Sequence, residues 1–257
     1  MVDFKKKIQE LKENGITILD GEYNEKQCDD HIQNFEIILN KFKLENKKLN
    51  RNCQLIENPY RHDIQLAELI YNKNVDIILK ELIDEDYVLV NSTIVNRKID
   101  KLVNNEGSNM GNQWHTDSQY VGGVRLDKGF TYIAVTLFDD FSEENGGTHY
   151  IPKSHFRREK PNRDGYEDEL KVMKGKRGSI ILFDGGTWHR GGPPSDKRRW
   201  SMFSYYGPWF VKPYFRFPEM LGEEFGKNTT KELRRLFHYN STPPLHEDIS
   251  RHTVIKE

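Results

Sequence analysis

The amino-acid sequence predicts an α+β protein in which N-terminal helices buttress a β-sandwich or barrel. Two observations carry this. Up to residue 83 the apolar residues recur at spacings of three and four, and from Tyr87 they alternate with period 2. The strand-like part is also punctuated by Gly/Asn turns, as in Asn145-Gly146-Gly147. Helices first and many short strands afterwards is the α+β pattern, and 257 residues suit one domain with a substantial core.

The elements follow in order. Residues 3–14 place Phe4, Ile8 and Leu11 at helical spacing, and Gly15 stops the helix. Residues 16–19 form a short strand. Asn24 caps a second helix running to about Leu44, with Ile32, Phe35, Ile38, Leu39 and Phe42 inward and a solvated face bearing Lys41, Lys43, Lys47 and Lys48. Residues 45–62 are polar and weakly structured. Residues 64–83 read as two stretches of helix. A strand over 87–96 precedes a Gly/Asn loop at 103–111, and a strong strand covers 130–138.

An acidic loop, 139–147, then leads to a short strand that Pro152 ends. Residues 156–171 are mostly charged and form an exposed loop suited to serve as a lid. Strands cover 179–184 and 200–206, residues 208–218 are aromatic-rich and irregular, a short helix spans 231–237, and the polar tail from Ser241 is loose.

Composition excludes several function classes. The chain is 35% hydrophobic and 31% charged, with a net charge of -1, so no electrostatic argument favours nucleic acid or an anionic membrane. Its N-terminus lacks the apolar core of a signal peptide, and no run reaches membrane-spanning length. Cys28 and Cys53 form no Cys-x-x-Cys pattern, which argues against a disulfide framework or zinc-thiolate site. Two reduced cysteines in a cytoplasmic protein with a small-molecule substrate is the expectation.

The chemistry centres on Gln113-Trp114-His115-Thr116-Asp117. Two residues apart on an extended segment, His115 and Asp117 share a face, and together they supply two thirds of a facial 2-His-1-carboxylate metal site. His189, ending Gly185-Gly186-Thr187-Trp188-His189, is placed to supply the third ligand. Such a face leaves three positions on iron(II), enough for a bidentate cosubstrate and dioxygen. A 2-oxoacid needs a cation at its far carboxylate, and Arg198 and Arg199 lie at the mouth of the next strand. Alternation groups Arg199 with Ser201 and Phe203 and sets Arg198 with Trp200 and Met202. Arg199, with the Ser201 hydroxyl, is preferred, and Arg198 is the substitute.

These residues, together with Asn145-Gly146-Gly147-Thr148-His149-Tyr150-Ile151-Pro152-Lys153-Ser154-His155, resemble the phytanoyl-CoA dioxygenase family of iron(II)- and 2-oxoglutarate-dependent oxygenases over roughly residues 5–240. The resemblance implies a double-stranded β-helix (jelly-roll) core at about 86–210, helical support at about 1–85 and a C-terminal extension at about 211–257. It implies His115, Asp117 and His189 as iron ligands, with Arg199 and Ser201 on 2-oxoglutarate. The reaction implied is dioxygen-dependent oxidation, most simply hydroxylation, of an unactivated C–H bond with release of succinate and CO2. Asp117 stands where related halogenases carry a small residue, which favours hydroxylation over halogenation. Lys153 departs from the glycine that many relatives have there.

Weaker candidates are set aside. A second His-x-Asp, His246-Glu247-Asp248, sits in the polar tail, and His149 and His155 read as packing or surface residues. Asp139, Asp140, Glu143 and Glu144 precede a glycine turn and read as solvated. Tyr120 and Arg125, just past the motif, are candidate substrate contacts. The rival readings are a cupin-type metalloenzyme, an isomerase or dioxygenase without 2-oxoglutarate, and a non-catalytic binding protein on the same fold.

Overall fold

Asp3 opens the first helix, α1 (Phe4–Asn14), where its carboxylate accepts a hydrogen bond from Lys6 N at 3.1 Å. The computed structural model describes residues 2–45, 54–98, 113–118, 129–157, 159–162 and 164–242. Gly15 ends α1 in left-handed backbone, φ 79°. Strand β1 (Ile16–Leu19) follows at once. Asn24 and Gln27 then cap α2 (Glu25–Glu45) reciprocally, each side-chain oxygen accepting the other's backbone N–H at 2.9 Å. Cys28, Ile32, Phe35, Ile38 and Leu39 form its buried face; the side chain of Phe42 and all of Cys53 lie outside the described residues.

Strands β2 (Gln54–Glu57), β3 (Val88–Asn96), β4 (Tyr132–Leu137), β7 (Ile180–Asp184) and β9 (Trp200–Gly207) join β1 in a six-stranded antiparallel sheet, ordered β1-β7-β4-β9-β3-β2. A smaller sheet holds β5 (His149–Tyr150), β6 (Lys171–Val172) and β8 (His189–Arg190), ordered β6-β5-β8, and a bridge from His115 to His189 extends it. The two sheets face each other as the jelly roll expected.

Alternation gives the large sheet two apolar faces. Its outer face, with Ile94, Tyr132, Leu182, Trp200 and Met202, packs on the helices. Its inner face, with Ile133, Val135, Leu137, Ile181 and Phe183, packs on Phe141 and Met173. The second of these clusters is the floor of the barrel, from which the site is built.

Several elements differ from expectation. Residues 45–62 contain β2, an edge strand in which Ile56 alone is buried, and a 3-10 turn at Pro59–Arg61. The stretch 64–83 divides at extended Tyr71 into a 3-10 segment, Ile64–Ile70, and α3 (Lys73–Leu82), which Asn72 caps. The irregular stretch expected over 208–218 ends at Phe217, where a helix that the sequence reading did not include begins, α4 (Phe217–Asn228), with Pro218 in its first turn. Of the two glycines that hide α4 in sequence, Gly222 kinks the helix at φ 81°, and Gly226 makes room for packing, since a Cβ there would meet the Tyr239 ring at 2.4 Å. A last helix, α5 (Lys231–Leu236), matches expectation. The loop 103–111 and the tail from residue 243, with His246 and Asp248, lie outside the described residues. Among the described residues no helix is long and apolar enough to cross a membrane.

Candidate metal centre

His115 stands on the edge of the small sheet, directly opposite His189. Each backbone N–H of this pair donates to the other's carbonyl at 3.0 Å. Two residues on, the Asp117 N–H donates to Gly185 O at 2.9 Å, so the segment is tied down at both ends and alternation turns His115 and Asp117 to the same side. The three residues meet, with one possible ligand atom from each lying within 4.8 Å of the others.

Both imidazoles are oriented in the same way. His115 Nδ1 lies 2.8 Å from Gln113 O and His189 Nδ1 lies 2.9 Å from Thr187 O. A carbonyl only accepts, so each Nδ1 carries the proton and each ring turns its Nε2 to the site, as a lone pair when the ring is neutral. His115 Nε2 is 3.9 Å from Asp117 Oδ1, and His189 Nε2 is 3.2 Å from Asp117 Oδ2. Asp117 Oδ2 is buried and accepts no hydrogen bond of good geometry.

Electron pairs from two nitrogens and a carboxylate therefore converge in a buried place, an arrangement that a cation relieves. Without a cation, a proton on His189 stands in for it. Burial pushes the His189 imidazole towards the neutral form, but the adjacent Asp117 carboxylate outweighs it and raises the pKa. Burial likewise raises Asp117, and the His189 charge overrides it downwards. Burial lowers His115, with the His189 charge adding to the effect. The donor set, two imidazoles and a carboxylate, fits a divalent first-row metal such as iron(II).

Arg199 and Arg198 diverge as their parity requires. Arg199 is 2% exposed and lies on the inner face, its guanidinium carbon 4.2 Å from the Phe141 ring centroid and its NH1 donating to Gly146 O at 2.6 Å. Arg198 points outwards to Asp139, with three nitrogen–oxygen distances of 2.9–3.2 Å. Ser201 is buried on the same face as Arg199, and its hydroxyl makes a long bond of 3.4 Å to Val95 O.

Several of the residues set aside have structural partners. Asp139 holds Arg198 and the Trp200 N–H, Asp140 pairs with Lys176, and Glu144 pairs with Lys197. His155 Nε2 donates to Lys12 O at 2.9 Å, and His149 sits opposite Arg190 on the far side of the small sheet. Lys153 adopts φ 61°, the left-handed backbone for which glycine is the unstrained choice. Tyr120 and Arg125 lie outside the described residues.

Sequence reading missed three inward residues. Tyr150 is the register partner of His189, and Tyr205 is that of both Asn91 and Ile133. Asn91 Oδ1 is buried without a hydrogen-bond partner. The signal for Tyr205 was available, because it continues the Arg199, Ser201, Phe203 parity. Burial and the nearby Asp117 charge push its phenol pKa far up, keeping the hydroxyl a proton donor. The loop 156–171 also departs from the lid expectation, since Tyr166 and Leu170 pack on the outer face of the small sheet, behind the candidate ligands.

The sequence matches the phytanoyl-CoA dioxygenase (PhyH) family over residues 11–201. No curated protein matches it in sequence. Among solved structures, HygX from Streptomyces hygroscopicus, with nickel and 2-oxoglutarate bound, superposes with a TM-score of 0.62 at 11% identity, covering 85% of this chain and 93% of HygX. HygX with iron bound gives a TM-score of 0.61 at 12% identity, with the same coverage. The non-heme alpha-ketoglutarate-dependent epimerase SnoN from nogalamycin biosynthesis gives 0.59 at 11% identity, covering 82% of this chain and 85% of SnoN. At these identities the likeness is one of fold.

Proposed function

Since the chain belongs to the phytanoyl-CoA dioxygenase family, whose members use iron(II), 2-oxoglutarate and dioxygen, we propose that it oxidises an unactivated C–H bond of a small molecule, by hydroxylation. His115, Asp117 and His189 hold the iron. The observation that carries this is the convergence of two Nε2 lone pairs and a buried carboxylate, with each ring turned by its own Nδ1–H bond to a backbone carbonyl.

When bound, the iron and 2-oxoglutarate together reduce dioxygen, one oxygen atom leaving in succinate beside CO2 and the other entering the substrate. The chain supplies binding and orientation. Arg199 grips the far carboxylate of 2-oxoglutarate from the closed end of the barrel, where its planar fork suits a carboxylate and Phe141 holds it flat. Ser201 supports it from the same face. Phe183 packs edge-on against the His189 ring, centroids 4.9 Å apart, and excludes water from that side.

Tyr205 and Asn91, one register row together, offer a donor and an acceptor to a substrate at the other end. Beyond Gly207 the exposed Trp209, Phe210 and Tyr214 form the rim by which the substrate enters. Strands β1 to β9 draw on the chain from residue 16 to residue 207, which supports a single domain with N-terminal helical support and a C-terminal extension.

Anaerobic addition of iron(II) and then 2-oxoglutarate to the apoprotein tests the proposal. A visible charge-transfer band that Asp117→Ala abolishes, followed by succinate formation on admitting dioxygen, is expected. Bound metal with neither band nor succinate would instead favour a cupin-type enzyme. Incorporation of labelled oxygen into product separates hydroxylation from an outcome such as epimerisation.

A further inference from the structure

Each candidate histidine ligand directly follows a tryptophan: Trp114-His115 and Trp188-His189. Alternation sends the imidazoles inwards and the indoles to the opposite face of the small sheet, where both are buried beside Ile151. The acceptor carbonyls that orient the imidazoles belong to Gln113 and Thr187. In both cases the tryptophan therefore sits between the imidazole and the carbonyl that aims it, so a tilt of either indole moves both ends of that hydrogen bond.

Residues 165–170, with Arg157, hold the indoles. Tyr166 stands edge-on to both, its ring centroid 5.9 Å from Trp114 at 87° and 5.2 Å from Trp188 at 65°. Its backbone is left-handed, φ 71°, a conformation that a tyrosine takes only under outside constraint. Trp114 Nε1 donates to Gly165 O at 2.8 Å. Glu167 pairs with Arg190 at 3.2 Å, and the Arg190 guanidinium lies 4.7 Å over Trp114. Glu169 pairs with Arg157, whose guanidinium lies 4.7 Å over Trp188. Each indole is thus clamped between the Tyr166 ring and an arginine, and each arginine is held by a glutamate near Tyr166.

We propose that this strap, centred on Tyr166, is a positioning element for the metal centre: it fixes Trp114 and Trp188, and through them the aim of His115 and His189. Among the described residues, the strap makes no hydrogen bond or ion pair with the side chains of His115, Asp117 or His189. The inference rests on the assignment of His115 and His189 as iron ligands.

Iron(II) affinity, measured anaerobically by competition with a coloured chelator, tests it alongside thermal melting of each apoprotein. Tyr166→Ala weakens iron binding by about tenfold or more, the range for outer partners of metal ligands, and Tyr166→Phe stays within about twofold of wild type. Leu236→Ala, in distant α5, lowers the melting temperature without changing the affinity. Glu167→Gln with Glu169→Gln, two surface changes that leave the core intact, weakens binding by more than the twofold margin allowed to Tyr166→Phe and carries the test should Tyr166→Ala not fold. Unchanged affinity in Tyr166→Ala or, if that fails to fold, in the double variant overturns the proposal. So does an equal loss in Leu236→Ala, which would reduce the effect to general destabilisation. A wild type that binds iron no better than His115→Ala overturns the ligand assignment itself.

Discussion

His115 and His189 face each other as a hydrogen-bonded pair, exchanging both backbone N–H···O bonds at 3.0 Å with their rings 4.3 Å apart. The two candidate nitrogen ligands are therefore set by one strand contact, which couples their positions. Asp117, anchored separately to Gly185, completes the set.

Asp117→Asn keeps the size of the side chain and removes its charge. Iron(II) affinity is expected to fall by more than about a hundredfold, since a ligand rather than an outer partner is lost. Equilibrium metal binding checks this, and a variant that held iron as tightly as wild type would remove Asp117 from the ligand set.

Arg199 and Arg198 separate on one measurement. Arg199→Lys preserves charge but loses the fork, and it should raise the half-saturating 2-oxoglutarate concentration about tenfold or more. Arg198→Ala should leave that concentration unchanged and cost no more than about 1 kcal/mol of stability, because the Arg198 side chain is 42% exposed. The reverse pattern would transfer the cosubstrate role to Arg198.

Gly15→Ala tests how the helix layer is fastened behind His189. The position has φ 79°, and an added Cβ would lie 2.5 Å from Thr187 Oγ1 and 2.6 Å from His155 Nδ1. Left-handed strain and overpacking together predict a loss of about 2–4 kcal/mol, read from the denaturant midpoint. A neutral result would mean that α1 can back away from the residues ahead of His189.

His238 gives a pH signature. Burial lowers its pKa, and its Nε2–H donates to Leu89 O at 2.8 Å while Ser241 Oγ lies 3.0 Å from Nδ1. Its stabilisation is therefore full above the unfolded value of about 6.5 and declines as pH falls below it, because the unfolded chain takes a proton that the folded chain refuses. The melting temperatures of wild type and His238→Gln should differ most near pH 7.5 and converge towards pH 5.5. A gap that does not change with pH would rule this out.

Much of the site was legible before any fold was known. His115 with Asp117, and Arg199 with Ser201, share faces because of strand parity, a property of adjacent residues. Strands β1, β3, β4, β7 and β9 announced themselves by period, and the cap at Asn24 by residue type. Strands β6 and β8 did not, since two residues have no period. The 3-10 segment Ile64–Ile70 carries nearly the same apolar spacing as a helix turn, so pattern alone could not distinguish the two.

Taken alone, the chain determined which side chains share a face and which chemistry they can offer, because periodicity and donor type are local. Tertiary structure decided what depends on distant partners. It brought His189 opposite His115, put β1 beside β7 across more than half the chain, buried Arg199 while Arg198 went to Asp139, and laid the segment around Tyr166 behind the ligands instead of over them. Those outcomes rest on strand pairing and burial between residues far apart in sequence, and no window of neighbouring residues contains that information.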